Sequence, residues 1–461
     1  MDNRDVSPSR GKSRWPSGSS LSITVLGVCT GTGLGYLDCA LVRFCQLSPS
    51  EPLRVRLQQF DRLNSPTSLK DPIISHLRDG RGGRHITPHL DELLGRLFSG
   101  AIQTFCRKHA LDITSIDLVS THSEVLRRLV ARTNLDGARE HPLHWNSMVA
   151  SETGVSTVFD FSILDRALNR PQTHPVSYFD RILLRHPTKF RVCLNLDEIA
   201  NLSFIPPSSD DGARPPLSYD CGPGSLLIDY AMRYCTSNNQ HVDHNGNLAA
   251  QGRVNQSIVD HFLNTHNYLR QLPPMSIATE MFGDHEAQQL VDECLYSGMS
   301  EADTVATVTQ VTAQNILKQY NRLLELFFPA GQKIDELFIC GSTSHNFSII
   351  DFLESQLPES VITRPMSDIG IPGDTHEAVC YAYLAFEAVL GQATQLTDMP
   401  PAPNSAHLST EFVRAKVVSG RDWSELLSHI LGFTGGHALS PATDVRMSSG
   451  LEAAVDELGL Q

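Results

Sequence analysis

The stretch Ile23-Thr24-Val25-Leu26-Gly27-Val28-Cys29-Thr30-Gly31-Thr32-Gly33-Leu34-Gly35-Tyr36-Leu37-Asp38-Cys39-Ala40-Leu41-Val42 decides the reading of the fold. An apolar, β-branched run stops at a turn in which Gly31, Gly33 and Gly35 alternate with small or apolar residues, then resumes as a second apolar run. That pattern predicts two antiparallel strands around a tight loop. The glycines leave backbone N–H groups uncovered, and bare amides in a compact loop form a concave site for an anion such as phosphate. A glycine hairpin with no ligand is the alternative reading, because glycine also serves simply to allow positive φ.

The chain around this loop has 461 residues, enough for two or three domains of ordinary size. Its formal net charge of -14 argues against non-specific nucleic-acid binding, which requires a basic face. Ten cysteines are dispersed without a C-x-x-C pair and read as small core residues in a reducing compartment, with neither a zinc site nor a disulfide frame. No apolar leader core and no run near the ~18 residues of a membrane span is seen. A cytoplasmic protein with no membrane partner is therefore expected.

Residues 1–20, rich in Ser, Pro, Arg and Gly, read as a disordered tail. Leu53 to Phe60 reads as a third strand. A helix starting at Thr87-Pro88 sets Leu90, Leu93, Leu94, Leu97, Ile102 and Phe105 on one face. Ile116 to Ser120 and Val155 to Phe161 read as further strands, the latter delivering Asp160 and Asp165 to the following turn. A carboxylate at a strand mouth is a candidate general base, although on spacing alone the stronger reading is that Asp165 caps the turn or pairs with Arg166 or Arg170. Arg191 to Leu196 and Ile199 to Phe204 form a second hairpin. Tyr219 to Ser225 then turns into a helix, with Gly-Pro-Gly at its start as either an anion site or an ordinary helix entry.

A long helix is predicted from Ser300 to Phe327, with Ser300 and Asp303 forming a capping box. It is followed by a buried strand, Glu336 to Cys340, a turn over Gly341 to Asn346, and a helix from Phe347 to Leu357. After Gly370 to Asp374, a last helix runs from Thr375 to Leu390. Residues 396–461 read as a linker and a weakly patterned, partly disordered extension.

The loop at Gly31, the Asp160-Phe161 strand end, Asn195 to Ser203, Asp220 to Ser225, Cys340 to Asn346 and Gly370 to Ala378 occur in the order and rough spacing of the anhydro-N-acetylmuramic acid kinase family. The resemblance spans Ile23 to Leu390. The chain is also similar to levoglucosan kinase, a member of that family, in Phe179-Asp180, His186-Pro187-Thr188-Lys189 and Phe204-Ile205-Pro206-Pro207. The resemblance implies an α/β protein of two-lobed, actin/Hsp70/sugar-kinase-like (ribonuclease H-like) architecture with an interlobe cleft. Its lobes would be residues 21–190 and 191–395.

The implied activity is ATP- and Mg²⁺-dependent phosphorylation of a 1,6-anhydro sugar. Water attack at the anomeric carbon opens the anhydro bridge while O6 takes the γ-phosphoryl group, and positioning with charge neutralisation supplies most of the catalysis. Carried over by motif, Asp165 is the catalytic base. The nucleotide side comprises Gly31, Thr32, Gly33, Gly35, Asp38, Asn201, Gly341, Asn346 and Gly370, and the sugar side Asp160, Asp220, Gly222, Gly224 and Glu280. No metal ligands are assigned, the expected partner is a small-molecule anhydrosugar, and a homodimer is left open.

The chain departs from the family pattern where ligands would bind. The family loop S-G-T-S-x-D-G-x-D stands here as Thr30-Gly31-Thr32-Gly33-Leu34-Gly35-Tyr36-Leu37-Asp38, and N-I-G-G-I-A-N as Asn195-Leu196-Asp197-Glu198-Ile199-Ala200-Asn201. Two carboxylates thus replace two glycines. Three readings follow from the residues: an active anhydrosugar kinase with an altered nucleotide site, a pseudokinase that keeps the scaffold for binding, and a carbohydrate kinase of changed substrate.

Overall fold

The computed structural model describes residues 20–31, 34–78, 88–123, 144–161, 175–209, 216–266, 284–390, 415–435 and 445–448. The strands are β1 Leu21–Thr30, β2 Tyr36–Gln46, β3 Leu53–Asn64, β4 Leu118–Ser123, β5 Ser156–Phe159, β6 Arg191–Leu196, β7 Ile199–Ile205, β8 Leu217–Pro223, β9 Glu336–Cys340, β10 Ile362–Pro365, β11 Lys416–Val418 and β12 Val445–Met447. They form a seven-stranded sheet of order β11-β5-β4-β1-β2-β3-β12 and a five-stranded sheet of order β10-β9-β6-β7-β8. The two predicted hairpins are present, β1 with β2 and β6 with β7, and each lies in its own sheet.

Eleven α-helices accompany these strands among the described residues: α1 Thr67–Arg78, α2 Pro88–Lys108, α3 Trp145–Thr153, α4 Pro175–Leu183, α5 Leu226–Cys235, α6 Gln256–Thr265, α7 Asp284–Tyr296, α8 Glu301–Phe327, α9 Phe347–Gln356, α10 His376–Leu390 and α11 Trp423–Thr434. Alternation along β1 sorts its side chains to two faces. Leu26 and Val28 join Leu94, Phe98 and Trp145 from α2 and α3 in one core. Ile23 and Val25 join Phe179 of α4 and Tyr383 and Phe386 of α10 in another.

That second core also takes in Cys193, Ile205, Phe338 and Cys340 of the five-stranded sheet, so α10 packs between the two sheets. Nearly every residue of α10 is buried, which its apolar composition on all sides requires. Small residues permit the approach: a Cβ on Gly27 of β1 would fall 2.1 Å from the Ala378 carbonyl oxygen. At the start of α10, His376 Nε2 pairs with Asp180 Oδ1 of α4 at 2.7 Å, both side chains being buried. The remaining face of the five-stranded sheet is covered by a third core that includes Leu227, Val259, Val308 and Ile349 of α5, α6, α8 and α9. The capping box at the start of α8 is formed, with Ser300 and Asp303 in their reciprocal roles.

Two expectations are corrected. The strand read as Val155 to Phe161 ends at Phe159, because Asp160 turns to φ 59. Among the described residues of the first loop, Leu34 takes a left-handed conformation (φ 49), its buried side chain held in the α2 core. The extension is not merely a linker and tail. Residues 416–418 add β11 antiparallel to β5, residues 445–447 add β12 parallel to β3, and Leu426, Ile430 and Phe433 of α11 enter the core that holds α10. Three-residue edge strands carry too little alternation to be seen in sequence.

Candidate functional site

One pocket draws on both sheets, with ≈ 840 Å³ of empty space that includes part of the open solvent. From the first sheet come Cys29 and Gly31 at the end of β1, Tyr36 and Asp38 of β2, and Arg62 of β3. The β6–β7 turn and the start of β7 contribute Asp197, Glu198 and Ile199, with Asn195 and Asn201 flanking them, and Asp220 comes from β8. Gly341 and Ser342 after β9, and Gly373, Asp374 and Glu377 around the start of α10, complete the lining. Carboxylates dominate it, and Arg62 is its one cation among the described residues.

Arg62 went unnoticed in the sequence, yet it sits directly across the β2–β3 ladder from Asp38. Its Nε and Nη2 donate to the two Asp38 oxygens at 2.7 and 2.8 Å, and its guanidinium lies 4.1 Å from the centre of the Tyr36 ring. Burial pushes the Asp38 carboxyl above the usual range, and Arg62 works against that shift. Burial likewise raises the Tyr36 hydroxyl. Tyr36, which stands where the family has glycine, therefore forms a stack with Arg62 at the mouth of the first loop.

The two carboxylates of the β6–β7 turn behave differently. Asp197 Oδ1 accepts from the Ser342 backbone N–H at 2.7 Å, and the Asp197 carbonyl accepts from Ser225 N–H at 2.8 Å. The Glu198 carbonyl accepts from Gly224 N–H at 2.9 Å. The turn is thus bound to the start of α5, with Gly224 obligatory because a Cβ there would lie 2.0 Å from the Asp197 carbonyl oxygen. Glu198 instead reaches across to the first sheet, its Oε1 standing 3.3 Å from the point where a Gly31 Cβ would project.

Asn201 and Asp220 meet in this pocket: Asn201 Nδ2 donates to Asp220 Oδ1 at 2.9 Å, while Ser203 and Ser218 hydroxyls donate to Asn201 Oδ1 at 3.3 and 3.1 Å. These bonds fix the orientation of the amide. Gly341, at φ 96, spends its N–H on the Gly373 carbonyl at 3.0 Å, so its part is to hold the entry of α10 over the pocket.

Of the residues singled out in sequence, Gly31, Asp38, Asn201, Asp220 and Gly341 line the pocket. Gly35 precedes the lining residue Tyr36, and Gly222 and Gly224 follow the lining residue Asp220 further along the chain; none of the three lines the pocket itself. Asn346 caps α9 by accepting from Ile349 N–H at 3.4 Å, and Gly370, at φ 91, ends the short helical turn Met366–Ile369. Neither lines the pocket. Asp160 stands at the end of β5, paired with Lys416 at 2.8 Å. Thr32, Gly33, Asp165 and Glu280 lie outside the described residues.

A family model described as anhydro-N-acetylmuramic acid kinase matches residues 23–413. Anhydro-N-acetylmuramic acid kinase of Crocosphaera subtropica is 28% identical over 366 residues, covering 78% of this chain and 91% of its own. The protein of the same name from Salinibacter ruber is 30% identical over 384 residues, covering 82% and 93%. A solved ROK family glucokinase from Streptomyces griseus, in complex with glucose and AMPPNP, aligns at 12% identity and a TM-score of 0.34 over 79% of this chain and 98% of its own, too distant to argue from. The match over 23–413 takes in the whole five-stranded sheet, nearly all of β1 and β2 to β5 of the other, and every segment that lines the pocket, and on that ground the chain belongs to the anhydro-N-acetylmuramic acid kinase family.

Proposed function

We propose that the protein is an ATP-dependent kinase of a 1,6-anhydro sugar, of the anhydro-N-acetylmuramic acid or levoglucosan type, coupling hydrolytic ring opening to phosphorylation of O6. The observation that carries this reading is the family match across residues 23–413 together with a pocket drawing on both sheets. On this reading the sheets belong to the two lobes of an actin/Hsp70/sugar-kinase-like architecture, and the pocket is the interlobe cleft.

The donor set fits a nucleotide that arrives with Mg²⁺. Among the described residues no group of three or more His, Cys, Asp or Glu forms a metal cage. Mg²⁺ at nucleotide sites is ordinarily held by one or two carboxylates together with the phosphates. Glu198, Asp374 and Glu377 are the lining carboxylates that would serve, and the ion would neutralise phosphate charge. The Gly31 backbone and the amino end of α10 would face the phosphates, where bare amides and the helix dipole favour an anion. Asp38, held by Arg62, keeps the loop's far side fixed, and Asn201 orients Asp220 toward the sugar. Asp165 takes the role of general base by its place in the family motif.

One observation favours the pseudokinase reading: the Glu198 carboxylate lies against Gly31, where the phosphates would approach. Calorimetric titration with Mg-ATP, with and without anhydro-N-acetylmuramic acid or levoglucosan, combined with an ADP-release assay, separates the two. The kinase reading expects nucleotide binding and sugar-dependent ADP release. Absence of both across a panel of 1,6-anhydro sugars would leave the pseudokinase.

A further inference from the structure

We infer that Lys416, in the extension beyond the family match, is a positioning residue for the sugar side of the site, holding the Asp160 carboxylate as an acceptor for sugar hydroxyl groups. The inference rests on the kinase reading above. Lys416 Nζ lies 2.8 Å from Asp160 Oδ2. The family match ends at residue 413, so this contact comes from chain that the match does not reach.

The geometry is built rather than incidental. Lys416 pairs with Phe159 in the β11–β5 ladder, so its side chain reaches one residue past the end of β5. Just beyond β11, Gly420 N–H donates to Ser156 Oγ at 2.9 Å and Arg421 N–H to the Gly154 carbonyl at 2.9 Å, pinning this segment alongside β5. Asp160 itself adopts φ 59, a left-handed conformation uncommon outside glycine and tolerated best by Asp and Asn. Such conformations persist only where surrounding structure over-determines them, and they gather at ligand sites.

Position gives the pair its meaning. β1, β4 and β5 run parallel and adjacent, so the carboxyl end of β5 lies on the same sheet edge as Gly31, the end where α/β sheets bind ligands. Two strand spacings separate β1 from β5, about 10 Å in all. Asp160 is not itself among the residues lining the pocket; with phosphates at Gly31, its end of the sheet goes to the sugar on the kinase reading. A carboxylate accepts sugar hydroxyls through charge-assisted hydrogen bonds, and a fixed ammonium beside it keeps it oriented. An ion pair with 44% of the Lys416 side chain exposed adds little to stability.

The test is steady-state kinetics of the full-length protein with Mg-ATP and levoglucosan or anhydro-N-acetylmuramic acid, alongside melting curves. Lys416→Met should raise the sugar KM about tenfold, with kcat and the Mg-ATP KM within about twofold and Tm nearly unchanged. Lys416→Arg should restore the sugar KM. The inference is overturned if Lys416→Met leaves the sugar KM unaltered, raises both KM values alike, or acts only by lowering Tm. A wild-type protein that neither turns over nor binds either sugar, by calorimetry with Mg-ATP present, removes the kinase reading and this inference together. A wild type that turns over with an unaltered Lys416→Met variant removes this inference alone.

Discussion

Glu198 and Gly31 meet across the pocket, with the Glu198 Oε1 atom 3.3 Å from where a Gly31 Cβ would stand. A phosphate drawn to the Gly31 backbone would come within ~5 Å of that carboxylate, a repulsion of roughly 3 kcal/mol at an effective dielectric of 20. Glu198→Gln removes the charge at nearly constant size. Its affinity for ATP in the presence of EDTA should rise about tenfold or more, and the gain should shrink with Mg²⁺, since the cation already screens the pair. Calorimetry reads both numbers, and equal affinities for variant and wild type in EDTA would exclude the repulsion.

Its neighbour should behave otherwise. Asp197 holds the Ser342 N–H, so Asp197→Gly loses that bond and adds backbone freedom. A loss of about 1–3 kcal/mol is expected, visible as a Tm several degrees lower. The replacement of two glycines by carboxylates thus splits into one residue that braces the turn and one that faces the ligand. An Asp197→Gly protein as stable as wild type would contradict the split.

Glu387, buried in α10, accepts from Tyr178 Oη at 3.0 Å and also from the Tyr383 hydroxyl. Burial raises its pKa to about 7, against the opposing pull of the two hydroxyls and Arg181. Unfolded Glu ionises at about 4.5, so between that pH and about 7 the folded state keeps a proton that the unfolded state has lost. This contribution is therefore complete at the acid end of the window and is lost as pH rises through it, by roughly 3 kcal/mol. Denaturant titrations at pH 5 and 8 should show that difference in wild type relative to Glu387→Gln. Parallel pH profiles for the two proteins would refute it.

Gly27 faces α10 so closely that a Cβ would strike the Ala378 carbonyl oxygen, a backbone atom that cannot swing aside. Gly27→Ala should cost about 3 kcal/mol or more, the upper end of overpacking penalties. Gly100, inside α2 with nothing within 4 Å of its Cβ position, provides the contrast. Gly100→Ala should stabilise by about 0.5–1 kcal/mol, because glycine is the poorer helix former. Denaturation midpoints of the two variants should move in opposite directions.

What could be read from the sequence was local. The β1–β2 hairpin announces itself through Ile23, Val25 and Val28 on one side of the glycine turn and Ala40 to Val42 on the other. The start of α8 is written in Ser300 and Asp303, three residues apart. What escaped depends on register or on distant pairing. Asp38 meets Arg62 only after the β2–β3 ladder passes a register shift between Leu41 and Val42. Lys416 reaches Asp160 across more than half the chain. Asp197 and Glu198 looked alike in sequence, and only the packing of the turn against Ser342 and Gly31 assigns them separate roles.

The seven-stranded sheet takes its outermost strands from the last part of the chain, and this fixes an order of events on the ribosome. All five strands of the second sheet exist once Pro365 has been made, while the first sheet, begun at Leu21, waits for Met447. At roughly 5–20 residues per second, that wait of about 80 residues lasts about 4–16 s. During it β3 and β5 carry open edges of the kind that pair with other chains. The part of the protein translated first is thus the last to be enclosed, and its nascent form is where protection by chaperones matters most.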